Sequence, residues 1–349
     1  MIHPPKKAEQ VDRPPETATL PSTFEAAYVG SIITNVGLPD TNLNQLTASQ
    51  LAIGSPLLQR VPNPFFGQVP RSSSLGDPTI TVGQLLKPFP SYTTVSLYRN
   101  NVGTTRYDGL ELSVRQRLSR GLQYSVAYTR SKLVDDASSV FDASILTGPV
   151  ANYPVADSFN RALERDYSTG DIPHVFVSSA IWDLPFGPGR AHDPGGVLGA
   201  IARDWMVVGL VTLQSGVPVA VTQTTNFNAF AGFGTQRPNL VGDPTLPADQ
   251  RTAAHWFNTA AFAIAPQFTI GTASRNPVRG PSYRDVDLSV VRRVRITPGQ
   301  SFEFRAEIFN LFNTVNLGAP SAVAGAANFG TITTALDPRV VQLAVKYVF

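Results

Sequence analysis

Residues 339–349 read Arg-Val-Val-Gln-Leu-Ala-Val-Lys-Tyr-Val-Phe, and the chain is organised around them. Side chains on an extended strand alternate faces with period two, so Val341, Leu343, Val345, Tyr347 and Phe349 share one face. The other face, Val340, Gln342, Ala344, Lys346 and Val348, is mixed and partly charged. A membrane-spanning β-strand needs about 9–11 residues with a lipid face, a polar face and interfacial aromatics. This stretch meets that description. The edge strand of a soluble sandwich is the other reading, and the rest of the chain decides between them.

Bulk composition is compatible with both. With 42% hydrophobic residues and a mean hydropathy near zero, the chain has no run approaching a membrane helix. A transmembrane barrel alternates its faces, so its average hydropathy is that of a soluble protein. The 29 prolines and 27 glycines argue for turns and long loops rather than helices. Cysteine is absent, which excludes disulfides, thiolate metal sites and a cysteine nucleophile. A net charge of +3, scattered rather than striped, gives nucleic-acid binding no support. The first ten residues lack the apolar core of a secretory signal. For an outer-membrane protein this leads to the expectation that the chain is the tail of a longer one.

Working backwards and then along the chain, residues 1–23 carry Pro4, Pro5, Pro14, Pro15 and Pro21 among charges and read as an irregular arm. Residues 24–349 form the barrel portion. A first strand is expected over 24–34, followed by a loop over 35–104 whose length marks it as functional or mobile. From Tyr107, Leu110, Leu112, Val114 and Leu118 alternate with Glu111, Ser113, Arg115 and Arg117. Ser119-Arg120-Gly121 turns the chain into Leu122, Tyr124, Val126 and Tyr128, a β-hairpin.

Residues 134–173 read as a loop whose Asp135, Asp136, Asp142, Asp157 and Asp171 offer ligands to a cation, but their irregular spacing favours simple solvation. Strands follow at 175–183 and from Trp205, with a long loop over 223–282. Val286, Leu288, Val290, Val294 and Ile296 then alternate with Asp285, Asp287, Arg293 and Arg295. After Pro298-Gly299-Gln300 come Phe302, Phe304, Ala306, Ile308 and Phe312 against Glu303, Arg305 and Glu307, and a last loop over 314–338 returns to the terminal strand.

About eight strands result, and their connections alternate between short and long. Outer-membrane barrels place short turns in the periplasm and long loops outside the cell. The charged faces fit a water-filled lumen, because in a small closed core each unpaired ion would cost several kcal/mol. So much charge needs a lumen wider than eight strands enclose. Arg292 breaks the pattern, sitting in the apolar register near a strand end, from which it can snorkel. The fold class expected is therefore all-β: an antiparallel up-and-down transmembrane barrel segment of about eight strands, incomplete, with long extracellular loops.

Several segments together resemble the carboxy-terminal barrel of TonB-dependent outer-membrane receptors, in the class whose full-length members begin with a carboxypeptidase-regulatory-like domain. They are Tyr28-Val29-Gly30-Ser31, Asn42-Leu43-Asn44-Gln45-Leu46, Tyr128-Thr129-Arg130-Ser131-Lys132 and Leu184-Pro185-Phe186-Gly187. Further on are Gln214-Ser215-Gly216-Val217-Pro218, residues 275–281 (Arg-Asn-Pro-Val-Arg-Gly-Pro), residues 304–313 (Phe-Arg-Ala-Glu-Ile-Phe-Asn-Leu-Phe-Asn) and the terminal strand. The resemblance spans about residues 24–349. It implies a receptor that takes up a surface-bound nutrient with energy relayed by an inner-membrane complex, in a barrel of about twenty-two strands. Neither a plug domain nor a partner-engaging segment is recognisable here. The terminal strand resembles the signal read by the β-barrel assembly machinery, with Phe349, Tyr347, Val345 and Leu343 as contacts.

No catalytic chemistry is expected. His3, His174, His192 and His255 have no second ligand at metal spacing, and Gln214-Ser215-Gly216 lacks the first glycine of a nucleophile elbow. No cofactor or metal is expected. Outer-membrane lipid is the expected surrounding, with Tyr124, Tyr128, Trp205, Phe302, Tyr347 and Phe349 as interface girdle. A secreted or surface-attached soluble sandwich or adhesin is the alternative.

Overall fold

The computed structural model describes residues 22–38, 41–70, 72–98, 100–137 and 155–349. Eight long strands form one antiparallel sheet in chain order: β1 Ser22–Gly37, β2 Asn101–Ser119, β3 Leu122–Asp135, β4 His174–Asp183, β5 Trp205–Gln214, β6 Tyr283–Thr297, β7 Gln300–Phe309 and β8 Val340–Val348. A two-residue strand, Asp166–Tyr167, pairs with the end of β3. Up-and-down order follows from the sequence, since each alternating run meets the next across a turn or loop and antiparallel neighbours need no crossover.

Between β2 and β3, Arg120 and Gly121 both take left-handed backbone, at φ 52° and 83°. Two-residue hairpins with this geometry match the twist of their strands, which is why the turn falls on Arg-Gly. A Cβ on Gly121 would lie 2.7 Å from the carbonyl of Asp183, so the neighbouring strand also demands glycine.

Register joins the faces across the whole sheet. One row runs Ala26, Leu112, Tyr128, Phe176, Leu213; another runs Phe24, Val114, Val126, Ser178, Val211, Val286. Towards the short-turn end the same face continues as Trp182, Val207, Val290, Ala306, Leu343. The opposite face carries Thr23, Arg115, Ser125, Ser179 in one row and Arg293, Glu303, Lys346 in another. A one-residue slip anywhere would mix these faces, so the hydrophobic pattern fixes the pairing.

No second sheet among the described residues packs on the apolar face: Leu343 is 78% exposed and Phe349 91%. A soluble sandwich would have packed that face against a second sheet. The charged face stays open too, with Glu303 accepting from Arg293 at 3.0 Å and from Arg305 at 2.9 Å on a surface where both arginines remain largely exposed. β1 and β8 are the two edges and do not pair with each other, so the eight strands do not close a small barrel.

Some boundaries differ from expectation. Residues 1–21 of the proline-rich arm lie outside the described residues, and Ser22 and Thr23 belong to β1, paired with Gln116 and Arg115. β1 runs to Gly37 and β2 starts at Asn101, so this pair extends beyond the expected 24–34 and Tyr107. Phe312 was expected in β7, but the strand stops at Phe309 because Asn310 and Asn313 both take φ 52°, a conformation asparagine tolerates. Asn310 then closes a ring with Thr314, donating to its carbonyl at 2.9 Å and accepting from its N–H at 2.8 Å.

Inside the expected 184–204 connection a short helix forms, Gly196–Ala202. Trp205 donates its indole N–H to Ile201 O at 2.7 Å, and Arg292 donates to Ala200 O while its guanidinium lies 5.3 Å from the Trp205 ring. Arg292 thus holds this helix against the apolar face, where Val197, Leu198 and Ile201 stand exposed. The apolar-register arginine is used as a hook rather than being left to snorkel alone.

Candidate functional site

The four long connections leave the sheet at one end and fold into each other. From the first come Leu46, Leu51 and Leu57, buried against Ala231 and Phe233 of the third, with Phe230, Phe268 and Ile270 around them. A second cluster sets Val221, Phe257 and Val278 of the third loop against Ala322 and Phe329 of the fourth. Each fully buried leucine or phenylalanine stabilises such a cluster by about 1.5–3 kcal/mol. These loops, expected to be functional or mobile, are therefore ordered by cores of their own.

Short ladders reinforce the packing. Thr222–Gln223 runs parallel to Val323–Ala324, and Pro218–Val219 antiparallel to Val278–Arg279. In Gln214-Ser215-Gly216-Val217-Pro218 the glycine is required by contact: a Cβ on Gly216 would sit 1.9 Å from the carbonyl of Gly280. The two resemblance segments, 214–218 and 275–281, meet there.

Ion pairs lock the assembly. Arg237 donates to Glu164 at 2.6 Å with both side chains buried. Arg275, 2% exposed, pairs with Asp135 and also donates to Tyr167 O at 3.2 Å. Arg279 pairs with fully buried Asp171, and Arg161 pairs with Asp136 at 2.8 Å. Asp157 accepts from Gln45 at 2.8 Å. Asp135, Asp157 and Asp171 thus tether one connection to another, Asp136 braces the second connection internally through Arg161, and none of these is a freely solvated charge; Asp142 lies outside the described residues. Removing one partner of such a buried pair leaves an uncompensated charge, so each pair fixes loop position strongly.

Lys87 is buried at 7% exposure, and desolvation holds its ammonium below the usual lysine range. Below the loops, on the charged face, Thr23, Glu25, Arg115, Arg117, Gln123 and Ser179 line a hollow of about 360 Å³. An ordered polar rim above a hydrated, two-signed surface suits binding and passage of a polar solute. Among the described residues no group of three His, Cys, Asp or Glu side chains could hold a metal ion.

Phe349, Tyr347, Val345 and Leu343 lie where the alternation puts them, on the apolar face of edge strand β8. Tyr347 stacks with Phe349 at 5.6 Å and meets the Phe302 ring of β7 at a tilt of 40°, centroids 5.1 Å apart, while Val345 and Leu343 face Phe304 and Ala306. This aromatic group is at the short-turn end, level with Trp205; Tyr128 is at the loop end, hydrogen-bonded to His174 Nδ1 at 2.7 Å. Sequence reasoning quoted Arg275 and Arg279 only as part of a resemblance, and passed over Arg237 and Glu164. No local signal announces a pair separated by 73 or 140 residues.

A continuous up-and-down sheet with an exposed apolar face, a wet charged face and sorted connections defines an outer-membrane β-barrel protein. The sequence profile of the outer membrane beta barrel domain family matches residues 18–342, and the chain belongs to that family. Its place is the outer membrane. No curated protein matches the chain. Among solved structures, the outer membrane transporter YddB from Escherichia coli is similar at 11% identity and a TM-score of 0.39, covering 94% of this chain and 30% of that one. The chain therefore spans under a third of that transporter's length.

Proposed function

We propose that this chain is the carboxy-terminal barrel portion of a TonB-dependent receptor that takes up a surface-bound nutrient, and that it is not an enzyme. The observation that carries the reading is the loop assembly: Asp135–Arg275, Glu164–Arg237 and Asp171–Arg279 bind separate connections into one rim over a hydrated charged face. A receptor needs such a preorganised outer surface, since ordering loops at the moment of binding lowers affinity. Arg275 and Arg279, anchors of this rim, belong to a segment that carries the family resemblance.

Hydrocarbon does not tolerate unpaired backbone groups, so in the working barrel other strands stand against the free edges of β1 and β8. Assembly machinery would engage β8 through Phe349, Tyr347, Val345 and Leu343, and an inner-membrane complex would energise uptake by the whole receptor. The test compares cells with and without the gene for uptake of a nutrient panel, with and without a protonophore. At least one nutrient should require both gene and gradient. Unchanged uptake across the panel, with a chain that leaves the membrane in plain buffer, would favour the adhesin instead.

A further inference from the structure

Where β1, β2, β3 and β4 approach the loops, the apolar face ends abruptly in cations. The row Ala26, Leu112, Tyr128, Phe176 is followed by Tyr28, Leu110, Arg130, His174, and that by Gly30, Asp108, Lys132. All of these point the same way as the lipid-facing rows, by the period of two. Of these, Tyr28, Asp108, Leu110, Arg130, Lys132 and His174, together with Tyr167 and Arg279, line an open hollow of about 470 Å³.

Its charges do not balance. Asp108 is already engaged, accepting from Tyr28 Oη and from Arg106 Nε, both at 2.7 Å. Asp171 is buried against Arg279. Arg130 has no hydrogen-bond or ion-pair partner among the described residues; Lys132 faces Asp108 across the strands without a hydrogen bond to it, and its ammonium lies 5.5 Å from the centre of the Tyr167 ring. Two exposed cations thus stand two residues apart on β3, on the same face of the sheet. On β1, the missing side chain of Gly30 gives the Tyr28 ring room to lie across the strand, 3.2 Å from where a Cβ would be.

From this geometry we infer that the hollow binds the phosphorylated headgroup of a membrane lipid at the long-loop side of the bilayer. Arg130 and Lys132 supply charge-assisted hydrogen bonds to phosphate oxygens, and Tyr28 and His174 flank the head. A free anion would need the cations alone. A lipid also needs an apolar track directly below, and Leu112, Val114 and Val126 provide it for acyl chains. The site faces outward, away from the hydrated surface implicated in uptake, and so is independent of that reading.

The full chain in neutral detergent, checked for its fold by heat-modifiable gel migration, is titrated with short-chain phosphatidic acid, short-chain phosphatidylcholine or inorganic phosphate and read by native mass spectrometry. Phosphatidic acid should bind clearly tighter than phosphatidylcholine. R130Q/K132Q should weaken phosphatidic acid binding by about 30-fold, since each juxtamembrane cation adds about fivefold, whereas R130K/K132R should keep it. The single variants R130Q and K132Q are carried alongside, so a folding failure of the double variant leaves each position readable. Absence of a phosphatidic acid preference, or its survival in the glutamine variants, overturns the site. Displacement of phosphatidic acid by equimolar inorganic phosphate overturns the lipid assignment.

Discussion

Arg275 and Asp135 stand 140 residues apart in the chain and meet in an ion pair whose guanidinium is almost wholly buried. Asp135 closes β3, where it faces Thr105 of β2 and Asp166 of the short added strand; Arg275 comes from the third loop. One contact therefore ties the top of the sheet to the loop that follows β5, two strands later.

That pair predicts an asymmetry between single and double substitutions. Asp135→Asn leaves Arg275 charged and buried without its carboxylate, and should destabilise the loop assembly by about 3–5 kcal/mol. Hydrogen exchange of the amides around residues 166–168 and 275–279 reads the change. The double variant D135N/R275M removes the uncompensated charge and should recover much of the protection. Equal losses in single and double variants would mean that the pair does not hold the loop.

Adjacent residues on β3 separate the two faces. Val126 lies in the row Phe24, Val114, Ser178, and Ser125 in the row Thr23, Arg115, Ser179. Val126→Arg near the centre of the hydrocarbon band should cost about 2–4 kcal/mol, while Ser125→Arg on the hydrated face should be close to neutral. Denaturant titration of the chain folded into lipid bilayers measures both. If Ser125→Arg is the damaging change, the faces are assigned the wrong way round.

Most of the sheet could be read from alternation, because a strand with one wet and one greasy face writes its structure locally. Leu110 to Leu118 and Phe302 to Ile308 needed only the period of two. The loop assembly was illegible for the opposite reason. Leu46 packs on Ala231, and Glu164 on Arg237, with no periodicity linking their surroundings. The exit at Phe309 lay between: Asn310 and Asn313, three apart, are residues that accept left-handed backbone, and weighting them above Phe312 would have ended the strand correctly. Buried aspartates were misread because Asp among Ser and Pro resembles a solvated loop until its arginine arrives from elsewhere.

At the carboxy-terminal edge, Phe349 packs only on Tyr347 and is otherwise exposed. Its removal takes little packing from the folded sheet. Deletion of Phe349 should therefore slow appearance of the chain in the outer membrane in pulse-chase fractionation while leaving the denaturant midpoint of protein already assembled nearly unchanged. A parallel fall in that midpoint would assign Phe349 to stability rather than to recognition by the assembly machinery.

Lys87 gives a pH signature. Burial lowers its folded-state value beneath the ordinary 10.5, so between that lowered value and 10.5 the unfolded chain binds more protons than the folded one. Stability contributed by this group must then rise with pH across that window. It is complete above 10.5 and lost as pH falls through the folded value, below which the full cost of a desolvated ammonium is carried. Lys87→Met removes the titrating group and keeps an apolar chain of similar length. The difference in melting temperature, variant minus parent, should be positive at pH 7 and shrink as pH approaches 10.5. Taking the difference cancels the tyrosines and other lysines that titrate in the same range. A difference independent of pH would show that Lys87 is hydrated in solution, and one that grows with pH would reverse the sign of the desolvation.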